Sequence, residues 1–349
     1  MSDPSETTTG VLNPDDRTTS AGASARGNPM HHVGRSARKV FGAREAGLAA
    51  VVILLVLFLS YASPFFFTTG NLTVVGRQIG LALIISVGMT FVILSAGIDL
   101  SVGSVVALVS VLTGVFMVDL GLTPVLAVLL ALLAGAAVGL VNGSIAAYSR
   151  IPSFVVTLGM LAVASGLALG ITGGSTISGF PRPFLFLGQG ILLGVPVPVW
   201  IGGIVAIVAH LVLTRTTFGL HVYFVGSNEE AAVMSGIRVR RVKIAVFTIA
   251  STLAALAAVV ETARLSVGQP SAGSGYELVA IGAVVIGGAS LFGGEGSILG
   301  TLLGTTLLLL ITNGLILLGI SPYWQQVFSG AIIVLAVALN MWRNNRGRA

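Results

Sequence analysis

The strongest constraint on this chain is a series of apolar runs, each close to the length of a membrane crossing. They lie at 46–63, 77–96, 99–118, 123–147, 152–172, 197–214, 244–265, 277–291, 297–318 and 323–342. A helix needs about 20 such residues to cross the hydrocarbon core, so the runs predict an all-α, polytopic membrane protein of about ten transmembrane helices. With 9% charged and 55% hydrophobic residues, the chain has too few charges to cover a water-exposed surface. Its 46 glycines suit membrane helices that pack through small residues and bring their backbones close.

The basic residues set an expected orientation. Arg35, Arg38, Lys39 and Arg44 precede the first run, Arg150 follows the fourth, further cations fill 215–243, and Arg343, Arg346 and Arg348 follow the last run. An even number of crossings puts all of these on one side, which the positive-inside rule makes cytoplasmic, with both termini. Segment 173–196, rich in Gly and Pro with the single Arg182, is then the main outer loop. Residues 1–33 are polar and small with little to bury, and read as a disordered tail. The expected division is a polar N-terminal tail over 1–45 with a basic juxtamembrane end, a membrane domain over 46–342, and a basic tail over 343–349. A signal peptide would place its apolar region nearer the start than Ala46.

Several chemistries are excluded. The chain has no Cys, and His31, His32, His210 and His221 are scattered, so no metal site is expected. No convergent nucleophile, base or acid pair points to an enzyme. A phosphate loop would need a GxxxxGK[ST] run, whereas the only lysines are Lys39 and Lys243, so the chain is not expected to hydrolyse ATP alone. No cofactor is implied. The net charge of +6 falls in short clusters between apolar runs, which fits topology better than nucleic acid.

Two joints leave little room for a loop, at 97–103 (Gly-Ile-Asp-Leu-Ser-Val-Gly) and 287–297 (Gly-Gly-Ala-Ser-Leu-Phe-Gly-Gly-Glu-Gly-Ser). The adjoining helices are expected to be broken or re-entrant, which is tolerated at membrane depth only inside protein or against a cavity. Val92, Ile93, Ala96, Gly103 and Ser104 align with Val285, Ile286, Ala289, Gly296 and Ser297, a weak internal repeat.

An ionisable group within a span costs about 2.5–3.5 kcal/mol on insertion scales, so each needs a reason. Asp99 and Glu295 sit in the two joints, where a carboxylate can cap a helix start or serve transport. Glu261 and Arg264 are three apart on one helix and can neutralise each other near its outer end. Gln269, Pro270, Ser271, Ser274, Tyr276 and Glu277 follow, and either line an outer vestibule or form a helix-end turn. Arg77 reads as an interfacial, snorkelling residue.

The polar run 215–243 is too long for a simple turn. Within it a short helix is expected, with Ser227 or Asn228 as cap, Glu229 and Glu230 in the first turn, Ala231 and Ala232 next, and Gly236 as terminator. Arg238, Arg240, Arg241 and Lys243 suit anchoring to anionic lipid.

Residues 216–237 resemble the cytoplasmic coupling loop of ribose-type ABC importer permeases. The joints at 88–104 and 287–297, the Ile-Pro-Ser-Phe-Val-Val-Thr-Leu-Gly-Met segment at 151–160 and the segment 261–278 are also similar to that family, in the same order, so the resemblance covers nearly everything after residue 45. It implies a pore-forming subunit in the lipid membrane, paired with a second permease copy or relative, two cytoplasmic ATPase subunits and an extracytoplasmic sugar-binding protein. It further implies that the helix matched by Asn228, Glu229, Glu230, Ala231, Ala232 and Gly236 docks on an ATPase. The cargo stays open among a ribose-like sugar, an inositol, a nucleoside or a furanone signal. An ion-gradient-driven transporter is the alternative.

Overall fold

The computed structural model describes residues 30–321 and part of 323–338. The expected tails, apart from 30–45, and half of the tenth run therefore lie outside the described residues. The chain divides into two compact units, Met1–Phe41 and Gly42–Ala349. In the first, residues 30–41 are helical.

The second unit is α-helical, with only four two-residue strands among its described residues. Its elements start with the part of α1 (Met30–Ala62) from Gly42 onward, then α2 (Thr69–Leu94), α3 (Val102–Gly114, continued by a π-helical turn to Asp119) and α4 (Pro124–Tyr148). There follow α5 (Ser153–Thr172), α6 (Arg182–Gln189), α7 (Val197–Arg215), α8 (Thr217–Ser227) and α9 (Glu229–Met234). The chain continues through α10 (Val239–Leu265), α11 (Tyr276–Ile286) and α12 (Ile298–Leu317). Among the described residues, eight helices are long and apolar enough to cross a membrane. They match eight of the ten runs, so the protein is an all-α, multi-pass membrane protein. The eighth run holds only the 11-residue α11, about 16 Å long against a core of about 30 Å.

Burial sorts the helices into two layers. α2, α3 and α10 are largely enclosed, with α12 partly so, whereas α1, α4 and α5 show most of their apolar side chains on the outside. Side chains that face outward on a membrane helix meet lipid or another membrane chain, so this exposure carries no penalty. The enclosed layer is joined to α4 through small residues at four-residue spacing. A Cβ on Gly139 would lie 2.5 Å from the Phe247 carbonyl oxygen and 2.7 Å from the Thr248 Cα, and one on Gly143 2.8 Å from the Ile244 Cα.

Both expected breaks are present. α2 and α11 end alike: the N–H of Gly97 bonds the Val92 carbonyl while that of Ala96 bonds Ile93, and Ala289 and Gly288 do the same to Val284 and Val285. In each case the residue that turns the chain is left-handed, Ala96 at φ 59° and Gly288 at φ 94°. The aligned Ser104 and Ser297 part company, because Ser101 starts α3 and Ser297 starts α12. The two helix ends are alike but one residue off the expected alignment, since Ala96 corresponds to Gly288 rather than Ala289, and the longer second joint shifts the register further before Ser297.

At one end of the bundle the segment 173–196 forms α6 and a small hairpin, Ile191–Leu192 with Val195–Pro196, while Ile177–Ser178 pairs antiparallel with Val267–Gly268 after α10. α9 lies at the other end, next to the start of α10. Replacing Gly139 by Leu is expected to force α4 off α10 and lower stability by about 2–4 kcal/mol, within the upper range for disruptive substitutions, read as a fall in the detergent-solubilised melting temperature.

Candidate functional site

Two polar constellations stand at opposite ends of α10. At its start, α9 is a short helix whose ends are both secured. Asn228 is the N-cap, its Oδ1 accepting from the Ala231 N–H at 2.9 Å, and Glu229 and Glu230 occupy the first turn, where the helix dipole favours carboxylates. Gly236 closes it at φ 79°, with the Ile237 N–H on the Ala232 carbonyl and the Gly236 N–H on Val233. Glu229 also pairs with Lys243 of α10 at 2.7 Å. That pair is partly exposed and contributes about 0–1 kcal/mol.

The two alanines of α9 differ. Ala231 is exposed, whereas Ala232 is buried in the core of its own chain, so its small size serves internal packing. The outward side instead carries Val233 and Met234, 59% and 89% exposed, which sequence reasoning passed over. An apolar pair inside an otherwise polar loop helix was the available signal.

The helix before it, α8, enters with Thr216 as N-cap and ends against both joints. A Cβ on Gly226 would collide with the Leu94 carbonyl oxygen at the end of α2, and the Gly294 N–H donates to that same carbonyl at 3.0 Å. Only glycine admits three backbones so close. Tyr223 of α8 donates its hydroxyl to the Gly296 carbonyl at 2.9 Å. Burial, and then the nearby Glu45 carboxylate, push the Tyr223 phenol up to about 12, so it stays a donor at any physiological pH. Ser297 caps α12 by accepting from the Gly300 N–H at 2.9 Å, and donates to Glu45 Oε1 at 2.5 Å. Glu295 is exposed, and its main-chain carbonyl receives the Ser290 N–H. The cap expected of Glu295 thus belongs to Ser297.

Asp99 is fully buried, and its Oδ1 accepts from the Ser101 N–H at 2.8 Å and hydroxyl at 2.6 Å. Asn142 of α4 donates to the same hydroxyl at 2.9 Å. Ser101 is the N-cap residue of α3, so Asp99 stands two residues ahead of it and holds Ser101 in place rather than capping the helix itself.

At the far end of α10, Glu261 is buried and Arg264 grips it with two bonds, Nε to Oε2 and Nη2 to Oε1, each 2.8 Å. The Tyr276 hydroxyl donates to Glu261 Oε1 at 3.2 Å. Arg264 and Tyr276 border a cavity of about 160 Å³ together with Gln78, Ile85 and Thr312. Gln269 does not join them: its main-chain N–H donates to Ser110 Oγ at 3.2 Å. Glu277 points elsewhere too, its carboxylate beside Gly103 and bordering a pocket of about 180 Å³ with Ser104, Ser165, Ser271 and Ser274. Arg77 donates to the Gln189 carbonyl at 2.6 Å, tying α2 to α6. Among the described residues no group of three or more His, Asp or Glu could hold a metal ion.

Comparison with known proteins gives a consistent result. The family described as branched-chain amino acid transport system / permease component matches residues 71–337. The chain is 44% identical over 300 residues to the ribose import permease protein of Escherichia coli (strain K12), covering 85% of this chain and 93% of the relative. It is 38% identical over 291 residues to the D-allose transport system permease protein of the same strain, covering 83% and 89%. It is 35% identical over 329 residues to the L-arabinose ABC transporter permease protein of Azospirillum brasilense, covering 94% of each. No solved structure matches the chain.

Because Glu261 is buried and Arg264 is its bidentate partner, removing either charge strands the other. Glu261→Gln and Arg264→Gln are each expected to cost about 2–3 kcal/mol, below the 3–5 of a fully enclosed pair since Arg264 is a quarter exposed. The double variant should lose less than the sum. Melting temperatures of the four proteins close this cycle, and additive losses would show that the two side chains do not interact.

Proposed function

This chain belongs to the branched-chain amino acid transport system / permease component family, and from that premise we propose that it passes a monosaccharide through the membrane in an ATP-driven importer. It is a transport component rather than an enzyme. Its cargo is delivered by an extracytoplasmic binding protein, as expected for a chain whose relatives are named as ribose, allose and arabinose permeases. The chain carries no phosphate-loop sequence, so ATP hydrolysis falls to separate subunits.

The observation that carries the reading is α9. A six-residue helix, capped at both ends, presents Met234 and Val233 away from its own core. Exposed apolar side chains on so ordered a surface element suit a protein partner, and an ATPase subunit is the partner the reading requires. Glu230, Ala231, Val233 and Met234 form the docking face, while Asn228, Glu229 and Gly236 hold its shape and Ala232 seats it. Arg150, Arg215, Arg238, Arg240, Arg241 and Lys243 gather at this end, which supports placing it, and both termini, in the cytoplasm.

A second copy of the chain completes the pathway. The pocket between α3, α5 and the segment before α11 carries Glu277 and four serines on an outer face of this chain. Polar groups at membrane depth face protein or a water-filled path rather than lipid, and α5 beside it offers Gly166 and Gly170, whose Cβ positions meet nothing. An ion-gradient mechanism has less support, since the buried carboxylates Asp99 and Glu261 are committed to Ser101 and Arg264.

Two measurements test the reading. Met234→Asp should weaken ATPase association about tenfold, equivalent to ~1.4 kcal/mol, and reduce uptake with it, while insertion and binding-protein contact persist; full ATPase stoichiometry in a purified complex would count against α9 as the dock. For orientation, in this cysteine-free chain, Ser178→Cys should react with an impermeant external thiol reagent and Ser227→Cys should be protected. External labelling at position 227 would reverse the topology.

A further inference from the structure

Two routes lead from α9 into the membrane-spanning helices. One is the Glu229–Lys243 pair to α10, half exposed on the Glu229 side and therefore weakened by water and salt. The other runs through α8, whose last turn is wedged against the end of α2 and the 287–297 joint. We propose that Tyr223 is the positioning residue through which closure of the ATPases reaches the pore, and that the α11–α12 hairpin, rather than α10, is the element they move. This rests on the docking role of α9 given above.

The geometry of the joint carries the inference. Tyr223 bonds the Gly296 carbonyl directly, one residue before Ser297, the cap of α12. Gly226 and Ser227 press on Gly294: a Cβ there would lie 2.9 Å from the Ser227 Cα, and Gly294 in turn bonds Leu94. A displacement of α8 is thus delivered to backbone, not to a flexible side chain. Ser297 itself donates its hydroxyl to Glu45 of α1, so the start of α12 is tied both to the α8 lever and to this α1 post.

The hairpin is built to move as one body. Backbones touch at Gly287 against Gly300 and at Gly304 against Ala283, where added Cβ atoms would overlap main-chain atoms. α11 spans about 16 Å, and at its other end Tyr276 bonds Glu261, itself clamped by Arg264. A push at Gly296 is therefore passed along α11 to the Glu261–Arg264–Tyr276 cluster and to Glu277 beside it. This gives the buried ion pair a use beyond stability: it is the far anchor of the moving hairpin.

The test uses the assembled importer in proteoliposomes with its ATPases and loaded binding protein. Tyr223→Phe removes one hydroxyl and no volume from the wedge. The expected result is a drop of tenfold or more in sugar taken up per ATP hydrolysed, with ATPase stoichiometry, melting temperature and the half-saturating concentration of binding protein unchanged. Wild-type uptake per ATP would overturn the proposal. Should Tyr223→Phe fail to assemble, Ser297→Ala, which cuts the Glu45 post and the α12 cap, must show the same loss of coupling in an intact complex; wild-type coupling there, or failure of both variants to assemble, overturns it as well. If the unmodified chain binds no ATPase, the docking role of α9 is what fails.

Discussion

A backbone that leaves the helix at membrane depth must find its hydrogen bonds inside the protein, because lipid offers none. α2 and α11 both do so, and the rest of the bundle is arranged to supply what they lack. The freed groups after α2 are met by the Ser153 hydroxyl at the Ile98 N–H, the Thr157 hydroxyl at the Leu100 N–H and Asp99 at Ser101. The freed groups after α11 are met by Tyr223 at Gly296, Leu94 at Gly294 and Glu295 at Ser290. Two of the three partners named at each joint come from distant parts of the chain, and this makes the two breaks the places where separate elements are tied together.

That tie explains why the loop helices α8 and α9 are ordered at all. Six residues of α9 could not hold a helix alone. Their order comes from the Asn228 cap, the Gly236 turn and the burial of Ala232, which seat α9 on the bundle while leaving Met234 outward. The element suited to a partner is therefore rigidly continuous with α8 and, through Gly226, with both joints. Between the end of α8, which meets Gly294, and the start of α9 stands only Asn228.

The charges follow the same economy. Ionisable groups within the bundle are few, and those described there are bound to neighbours: Asp99 to Ser101, Glu261 to Arg264 and Tyr276. Their positions are structural first, at the start of one helix and the end of another. The polar pocket around Glu277 differs in opening outward from a single chain, as a path shared between two copies would.

The apolar runs, the basic clusters and the helix-end residues determined by themselves the class of protein, eight of its membrane helices, the two breaks and the short loop helix α9 with its caps. Each of these depends on local composition or on spacing within one turn, which a single strand of sequence displays. The Glu261–Arg264 pair was legible for the same reason, being three residues apart on one helix. What only tertiary structure decided was direction and distance between remote segments. Nothing near Ala232 says that it faces inward while Met234 faces out, since a short polar helix has no strong apolar period to read. The exchange of Glu295 for Ser297 as the cap of α12 turned on a loop four residues longer than its counterpart. The meeting of Tyr223 with Gly296, 73 residues away, had no trace in either segment, because a backbone carbonyl looks the same in every residue.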